Sequence, residues 1–518
     1  MGKQAQLDAS APKGSTAPKK TGISPDTWAM IGLFILTLAV RLTLAYQTPY
    51  ITGDDSFFWA RQAESILTTG RHFTHDTLGW MGRDLSFPPI FAYVIAAAGL
   101  FGQLAIGGKL LLNAIAATTT VFVYLIGLHL TGSKHVAALA GVVSIMTPVF
   151  LAETTTSLTP YSMIIPVYAL MVYAYLRIET RAWTIIYLAA LAILSFLSPL
   201  AIVFIIGLGA YAILTKIEGI KLRREEPEVM MFGAFFIIWA ALVQYKRAIL
   251  SHGPGFIWQN IPDQILRSYF TDVNIISIIT NIGLVPFAAG VFVTYTYLLR
   301  KQSLNATMII GQAIAIGALL WMKLVKPQSG YLLFGLILCL LFAFGYQSFL
   351  SWLGQTRFGA THRFTPLAVF LLVVVTSLLP SIAMTASAIS DSRMDAHMPA
   401  LEWLGKHSSP TATVLADPDE GHLINDIAQR PTMIDSNFVL APDSETRYRD
   451  LQMLTSTPIR STAIDILSKY NIQYIYYSPR FAKRFTEESR WLSDTKCFSP
   501  LYNNTIVIYQ VTCQLQKV

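Results

Sequence analysis

Long apolar runs separated by short polar connections pattern most of this chain. The first, Trp28 to Tyr46, follows Ser24-Pro25-Asp26, where a capping hydroxyl and an early proline suit a helix start. At ~1.5 Å per residue it is long enough to cross a hydrocarbon core of ~30 Å. Runs at 109–131, 135–152, 161–177, 183–197, 200–215, 229–246, 276–299, 304–322, 329–350 and 365–388 predict further spans. The apolar stretch Pro89 to Ala105 is read as re-entrant or interfacial, because counting it as a span would put most basic loops outside. The pattern therefore predicts an α-helical polytopic membrane protein of about 11 to 13 spans.

After residue 389 the pattern changes. Helical stretches such as "MPALEWLGKH" and "TAIDILSKYN" alternate with the strand-like runs "TATVLA", "IQYIYYS" and "TIVIYQVT", which predicts a small α/β domain over 389–518. The first 23 residues, rich in Lys, Ala, Ser and Pro, read as a disordered tail. Residues 24–388 are then the membrane domain, with a long first loop over 47–108.

Composition agrees: 53% of residues are hydrophobic, 13% are charged and the mean hydropathy is +0.49, which excludes an ordinary soluble protein of this length. The net charge of +8 carries no nucleic-acid reading, because the basic residues cluster in the short connections. Lys134, Arg177 with Arg181, Lys216 to Arg224, Arg300 with Lys301, and Arg357 with Arg363 all fall on one side, the cytoplasmic side by the positive-inside tendency. The N-terminus is then inside. The loops 47–108, 152–161 and 247–275, with everything after about 389, share the outer face.

Three cysteines are too few for a disulfide scaffold. Cys339 sits alone in an apolar run. Strand-like runs near Cys497 and Cys513 flank "SPLYNN", so a hairpin there could bring the two sulfurs within bridging distance, with free thiols as the alternative. No internal repeat, Walker loop, zinc-spaced Cys/His cluster or GxSxG elbow is present.

The stretch "GDDSFFWARQAESILTTG" opens the first outer loop with two adjacent acids. A solvated helix cap explains a generic Asp-Asp. Here Asp55 opens an amphipathic helix beside the membrane surface, where a carboxylate could bind a divalent cation or accept a proton. Asp55 followed six residues later by Arg61 resembles the first external loop of GT-C glycosyltransferases, most closely oligosaccharyltransferase catalytic subunits. The similarity extends thinly over "SFPPIFAYVIAAAGLFG", "GVVSIMTPVFLAETTTSLTPYSM" and "ADPDEGHLINDIAQRPTMIDSNF". It implies a GT-C fold, with Asp55 as metal-binding and catalytic acid.

Two departures stand out. Where the family carries a basic residue and, seven positions on, a second metal-holding acid, this chain has Glu153 and Pro160. Glu153 is then either a displaced second carboxylate, catalytic and metal-binding, or a cap. The family's WWDYG signature aligns with Asp417-Pro418-Asp419-Glu420-Gly421, matching only at Asp419 and Gly421, with Ile424 and Arg430 also in place. Asp419, Gly421 and Arg430 are the expected acceptor-site residues, but the tandem tryptophans that grip a sequon's hydroxyl residue are missing.

Lys323 and Lys326, and Lys246 with Arg247, end spans on the expected outer face against the positive-inside tendency. They are either donor-phosphate ligands (Lys323, Lys326, Arg247) or side chains snorkelling to head groups. Arg41, inside the first span, poses the same choice. His72, His75 and Asp76 could ligate a metal, or could simply be solvated.

The resemblance implies a sugar or glycan transferred from a polyprenyl (dolichyl) phosphate or pyrophosphate donor to a protein or glycan acceptor, with a divalent cation, Mg2+ or Mn2+, as cofactor. The lipid bilayer is a further partner, and the expected location is a prokaryotic, archaeal-type plasma membrane. Two alternatives are a transferase adding one sugar to a lipid-linked glycan or surface polymer, and a non-enzymatic scaffold or transporter. The spans show none of the paired broken helices a transporter needs.

Overall fold

The computed structural model describes residues 25–513 except 101, 272, 300–302, 357–363 and 485–489. The expected tail, and the basic residues Arg300, Lys301, Arg357 and Arg363, lie outside the described residues. The chain starts with α1 (Pro25–Ala45), α2 (Asp54–Thr69), the short strands β1 (His75–Asp76) and β2 (Arg83–Asp84), α3 (Ile90–Gly99) and α4 (Leu104–Thr131). With ten residues, α3 is too short to cross a bilayer.

The bundle continues through α5 (Lys134–Ile145), α6 (Pro148–Thr154), α7 (Tyr161–Leu176), α8 (Arg181–Leu197), α9 (Ala201–Ile217) and α10 (Glu226–His252). Then come α11 (Asp263–Thr271), α12 (Ile275–Ile282), α13 (Leu284–Leu299), α14 (Leu304–Trp321), α15 (Pro327–Gln355) and α16 (Thr365–Ser392). Among the described residues, six helices are long and apolar enough to cross a membrane, and up to eight if each bent pair is one span. The expected count of 11 to 13 is therefore not reached by length alone. Helices α7 to α9 have 16 or 17 residues and rise only ~25 Å.

Two expected spans are broken. The stretch 135–152 is α5 and α6, bent by 50° before Pro148, and 276–299 is α12 and α13, bent by 114°. Gly283, at φ 105°, makes the second turn, a conformation side chains with a Cβ resist.

The C-terminal part begins with α17 (Met394–His407), followed by β3 (Thr413–Leu415), α18 (Ser444–Ser456), α19 (Arg460–Lys469), β4 (Ile472–Tyr477), α20 (Pro479–Arg484), β5 (Phe498–Asn503) and β6 (Val507–Val511). The sheet order is β3-β4-β6-β5, with β3 parallel to β4 and the other pairs antiparallel. Alternation sorts its two faces from Tyr474 onward, and the β3–β4 register shift beside Ile472 puts that residue on the face of Ile475. Val414, Tyr474, Tyr476 and Ile508 pack with Leu401 and Leu404 of α17, while Leu415, Ile472 and Ile475 pack with Leu451 of α18 and Leu467 of α19. The second core also takes in Trp80, Ile261 and Ile265, so two bundle loops help build this domain.

Cys497 and Cys513 are disulfide-bonded, with Cα atoms 4.8 Å apart. The "SPLYNN" between the expected strands is itself mostly strand: Phe498 pairs with Val511 and Asn503 with Val507, so the turn falls at residues 504–506. Cys339 is a buried free thiol.

Candidate functional site

Gly53, at φ 82°, turns the chain into α2. The segment before α7 is stitched to this corner. The Thr52 amide donates to the Thr156 carbonyl at 3.2 Å, and the Leu158 amide to the Ser56 hydroxyl at 2.9 Å. Residues 152–161, one of the loops expected on the outer face, thus sit against the paired acids.

The acids have separate tasks. Asp54 accepts the Leu423 amide at 2.9 Å and the Ser436 hydroxyl at 2.8 Å, tying α2 to the C-terminal domain. Burial there pushes its carboxyl well above the usual carboxylate range. Asp55 is exposed, with Ser436 Oγ 3.3 Å from its Oδ1. Asp54 docks; Asp55 faces outward.

Glu153, one residue before the end of α6, is half-buried, hydrogen-bonds Gln328 at the start of α15 and lies within electrostatic reach of Asp55. Lys326, just ahead of α15, feels both Asp55 and Asp419, and burial holds its ammonium below the usual lysine range. Its Nζ lies 6.0 Å from the centre of the Tyr269 ring. The fold thus gathers Asp55, Glu153, Lys326 and Asp419 from four separate segments. Lys323 is exposed, with Nζ 5.9 Å from the centre of the Phe270 ring. Arg247 lies in a separate open cleft of about 580 Å³. There it faces Asp84 at 3.6 Å, with no contact to Asp55.

In the 417–430 stretch, Arg484 holds Asp417 at 2.9 Å and Asp419 at 2.6 Å. Burial, reinforced by Asp419, pushes Asp417 up to about 6. Burial pushes Glu420 up to about 8, with Asp417 adding to the effect, although the Ser478 hydroxyl bonds it at 2.8 Å. Gly421 is a close-approach position: a methyl there would stand 2.5 Å from the Asp435 Cβ. Arg430 aims all five N–H groups at Gly405, Ser408, Ala428 and Gln429, capping the end of α17, and does not reach Asp55.

Asp435, not singled out from sequence, is the hub of the interface. Its carboxylate takes both oxygens' bonds from Arg83, at 2.9 and 3.0 Å, and the Trp80 indole N–H at 2.9 Å. Arg83 also donates to the Asn437 carbonyl. Trp80 is fully buried at φ 55°. The only local sequence sign is the Asp435-Ser436-Asn437 turn, closed by the Asn437 amide on Asp435.

The expected alternative of a His72, His75 and Asp76 metal site is not formed. Asp76 is ion-paired with Arg61 at 2.7 Å, His75 faces Asp84 at 2.9 Å, and His72 faces the Tyr93 hydroxyl at 3.2 Å. Burial opposes the Asp76 charge, but the Arg61 guanidinium outweighs it and holds the carboxyl at about 2. Among the described residues, no group of three or more His, Cys, Asp or Glu could hold a metal ion. Arg41 does not snorkel. It is fully buried, bonded to Asn113 Oδ1 at 3.0 Å and Thr154 Oγ1 at 2.6 Å.

No protein-family model and no curated protein matches this sequence. Solved structures do. An Archaeoglobus fulgidus oligosaccharyltransferase, tethered to an acceptor peptide containing the NVT sequon, superposes with a TM-score of 0.65 at 14% identity, covering 87% of this chain and 69% of that one. The archaeal oligosaccharyltransferase AglB from the same organism, in complex with an inhibitory peptide and a dolichol-phosphate, gives 0.62 at 13% identity over the same shares. ArnT from Cupriavidus metallidurans, bound to undecaprenyl phosphate, gives 0.57 at 12% identity, covering 94% of this chain and 98% of that one. The chain has the GT-C glycosyltransferase fold of an integral membrane protein.

Proposed function

We propose that this protein is a membrane glycosyltransferase. It moves a sugar or glycan from a polyprenyl (dolichyl) phosphate or pyrophosphate carrier to an acceptor at the outer face. The observation that carries the reading is Asp55, exposed where α2, the end of α6, the start of α15 and the C-terminal domain meet. Structures of similar fold hold dolichol-phosphate and undecaprenyl phosphate.

Asp55 accepts the acceptor's proton or holds a cation, and Glu153 supplies the second carboxylate. Lys326, with Lys323 beside it, offers the leaving phosphate positive charge in a partly desolvated site. Arg247 is farther out and would meet a donor only at the rim. The donor set fits a divalent cation in one mode: Mg2+ is commonly held by one or two carboxylates plus substrate phosphates, which Asp55 and Glu153 satisfy without a third protein acid. Such an ion would stabilise charge on the leaving phosphate. One similar structure contains Zn and sulfate.

The acceptor is either protein or glycan. Single-sugar transfer to a lipid-linked glycan or polymer gains support from one observation: Asp417 and Pro418 stand where the tandem tryptophans would.

The test is to incubate purified protein with isotope-labelled lipid-linked sugars and either a sequon peptide or a lipid-linked glycan. Label leaving the carrier for one acceptor class, in the wild type and not in Asp55→Asn, supports the reading. A carrier pool unchanged with both acceptors overturns it.

A further inference from the structure

A second polar cavity, of about 270 Å³, lies further along α2 between that helix and the turn 424–428. Arg61, Glu64, Phe73, Asp426 and Gln429 line it. The turn is a π-helix, a rare form that is frequent at functional sites, and it ends at Gln429 in the left-handed region at φ 54°. That geometry places Asp426 and Gln429 at the cavity wall. Neither side chain makes a hydrogen bond to any described residue, and the same is true of the Glu64 carboxylate. Arg61 is already neutralised by Asp76 and lies 5.2 Å from the centre of the Phe73 ring. The cavity therefore offers two unbonded carboxylates and a free amide beside the Arg61–Phe73 stack. This set suits a hydroxyl-rich ring, whose hydroxyls donate to carboxylates and bond an amide. The volume lies below the ~300–1,000 Å³ of drug-sized sites, so it admits a single ring.

We infer that this cavity is a carbohydrate subsite that holds one sugar unit remote from the bond being transferred, an inference that rests on the glycosyltransferase reading. Helix α2 sets the spacing. From Asp55 to Arg61 is six residues, ~9 Å of rise, and to Glu64 ~13 Å. A single sugar on the carrier cannot occupy both places, whereas a glycan of a few units can. The glycan could belong to the donor or to the acceptor.

The experiment has a binding arm and a transfer arm, both on the full chain. In the first, glycans released by mild acid from the host membrane's own lipid-linked pool are added to wild type, Asp426→Ala and Asp426→Asn, and contact is read by saturation-transfer NMR. Binding by wild type that weakens at least tenfold in Asp426→Ala, with an unchanged melting temperature, supports the subsite. No binding by wild type, or equal binding by a folded Asp426→Ala, overturns it. In the second arm, donors and acceptors are trimmed to one sugar. A KM increase in Asp426→Ala that disappears with the trimmed donor assigns the sugar to the donor, and one that disappears with the trimmed acceptor assigns it to the acceptor. An increase indifferent to both lengths overturns the inference. Wild type that binds glycan but transfers nothing defeats the transferase reading alone.

Discussion

The helix bundle and the seam between the 47–108 loop and the C-terminal domain are held together by different physics. In the bundle, backbones come close. A methyl at Gly311 of α14 would stand 2.7 Å from the Tyr211 amide nitrogen of α9, and one at Gly345 3.2 Å from the Ala289 Cβ. Small residues at such crossings let helices pack without a hydrophobic drive between them. Gln312, a buried polar group there, is tied off by neighbouring helices through the Phe204 carbonyl and the Tyr168 hydroxyl. The seam relies on charge. Arg83 and Asp435 have side chains 1% and 0% exposed, and Asp54 is held by an amide and a hydroxyl of the opposite domain. A region built by close approach suffers from an added methyl, whereas one built by ion pairs suffers from a lost charge.

The largest effect separates chemistry from both kinds of cohesion. Asp55→Asn is expected to lower sugar transfer at least ~10²-fold, the usual loss when a general base or metal ligand is removed. An exposed carboxylate leaves the melting temperature nearly unchanged. Most activity retained in a folded mutant would reduce Asp55 to a helix cap.

Next comes the seam itself. Asp435→Ala strands Arg83 and the Trp80 indole in a dry interface, and breaking a buried pair on one side costs about 3–5 kcal/mol. Limited proteolysis should then cut the C-terminal domain while the bundle stays intact. Equal protection of mutant and wild type would mean that the pair does not hold the domain.

In the bundle, Gly311→Ala should destabilise by about 1–3 kcal/mol through overpacking against the Tyr211 backbone, read as a lower unfolding midpoint in detergent. A neutral result there would place the bundle's cohesion elsewhere.

The smallest effect depends on pH. Glu420, pushed up to about 8 from an ordinary 4.5, keeps its proton in the folded state where the unfolded chain has lost it. Stability from this group is therefore present at low pH and falls as pH rises from 4.5 to 8. Burial holds His397 at about 4, so from pH 7 to 8 it is uncharged when folded and mostly uncharged when unfolded, and it adds only a small slope of opposite sign. Asp426, pushed up to about 7 by burial, adds a slope of the same sign as Glu420. The domain's melting temperature should therefore fall over that interval in the wild type and fall less steeply in Glu420→Gln; an unchanged slope in the mutant would assign the effect to another group.

What was legible in the sequence was local or periodic. The apolar run of α1, the amphipathic start of α2, the strand alternation of β4 and β6 and the change of character after residue 389 all repeat within a few residues. Each position adds to the signal. Asp55 was singled out because its neighbours carry a motif, and a pairing of Cys497 with Cys513, left open against free thiols, because the two lie close along the chain. By contrast, "SPLYNN" hid its strand behind a proline and two asparagines, since the partner strand, not its own propensity, makes β5 a strand.

Only the tertiary structure decided which acid docks and which faces outward, that 276–299 folds back on itself, and that Arg430 caps a helix. It also decided that Arg41 is bonded inside the bundle. The Arg83–Asp435 pair shows the physical reason. Its members are 352 residues apart, and neither changes the local pattern around it. Their attraction exists only after the chain has brought them together and excluded the water between them. A sequence records what each segment prefers alone, whereas contacts between distant segments are energies of the folded state.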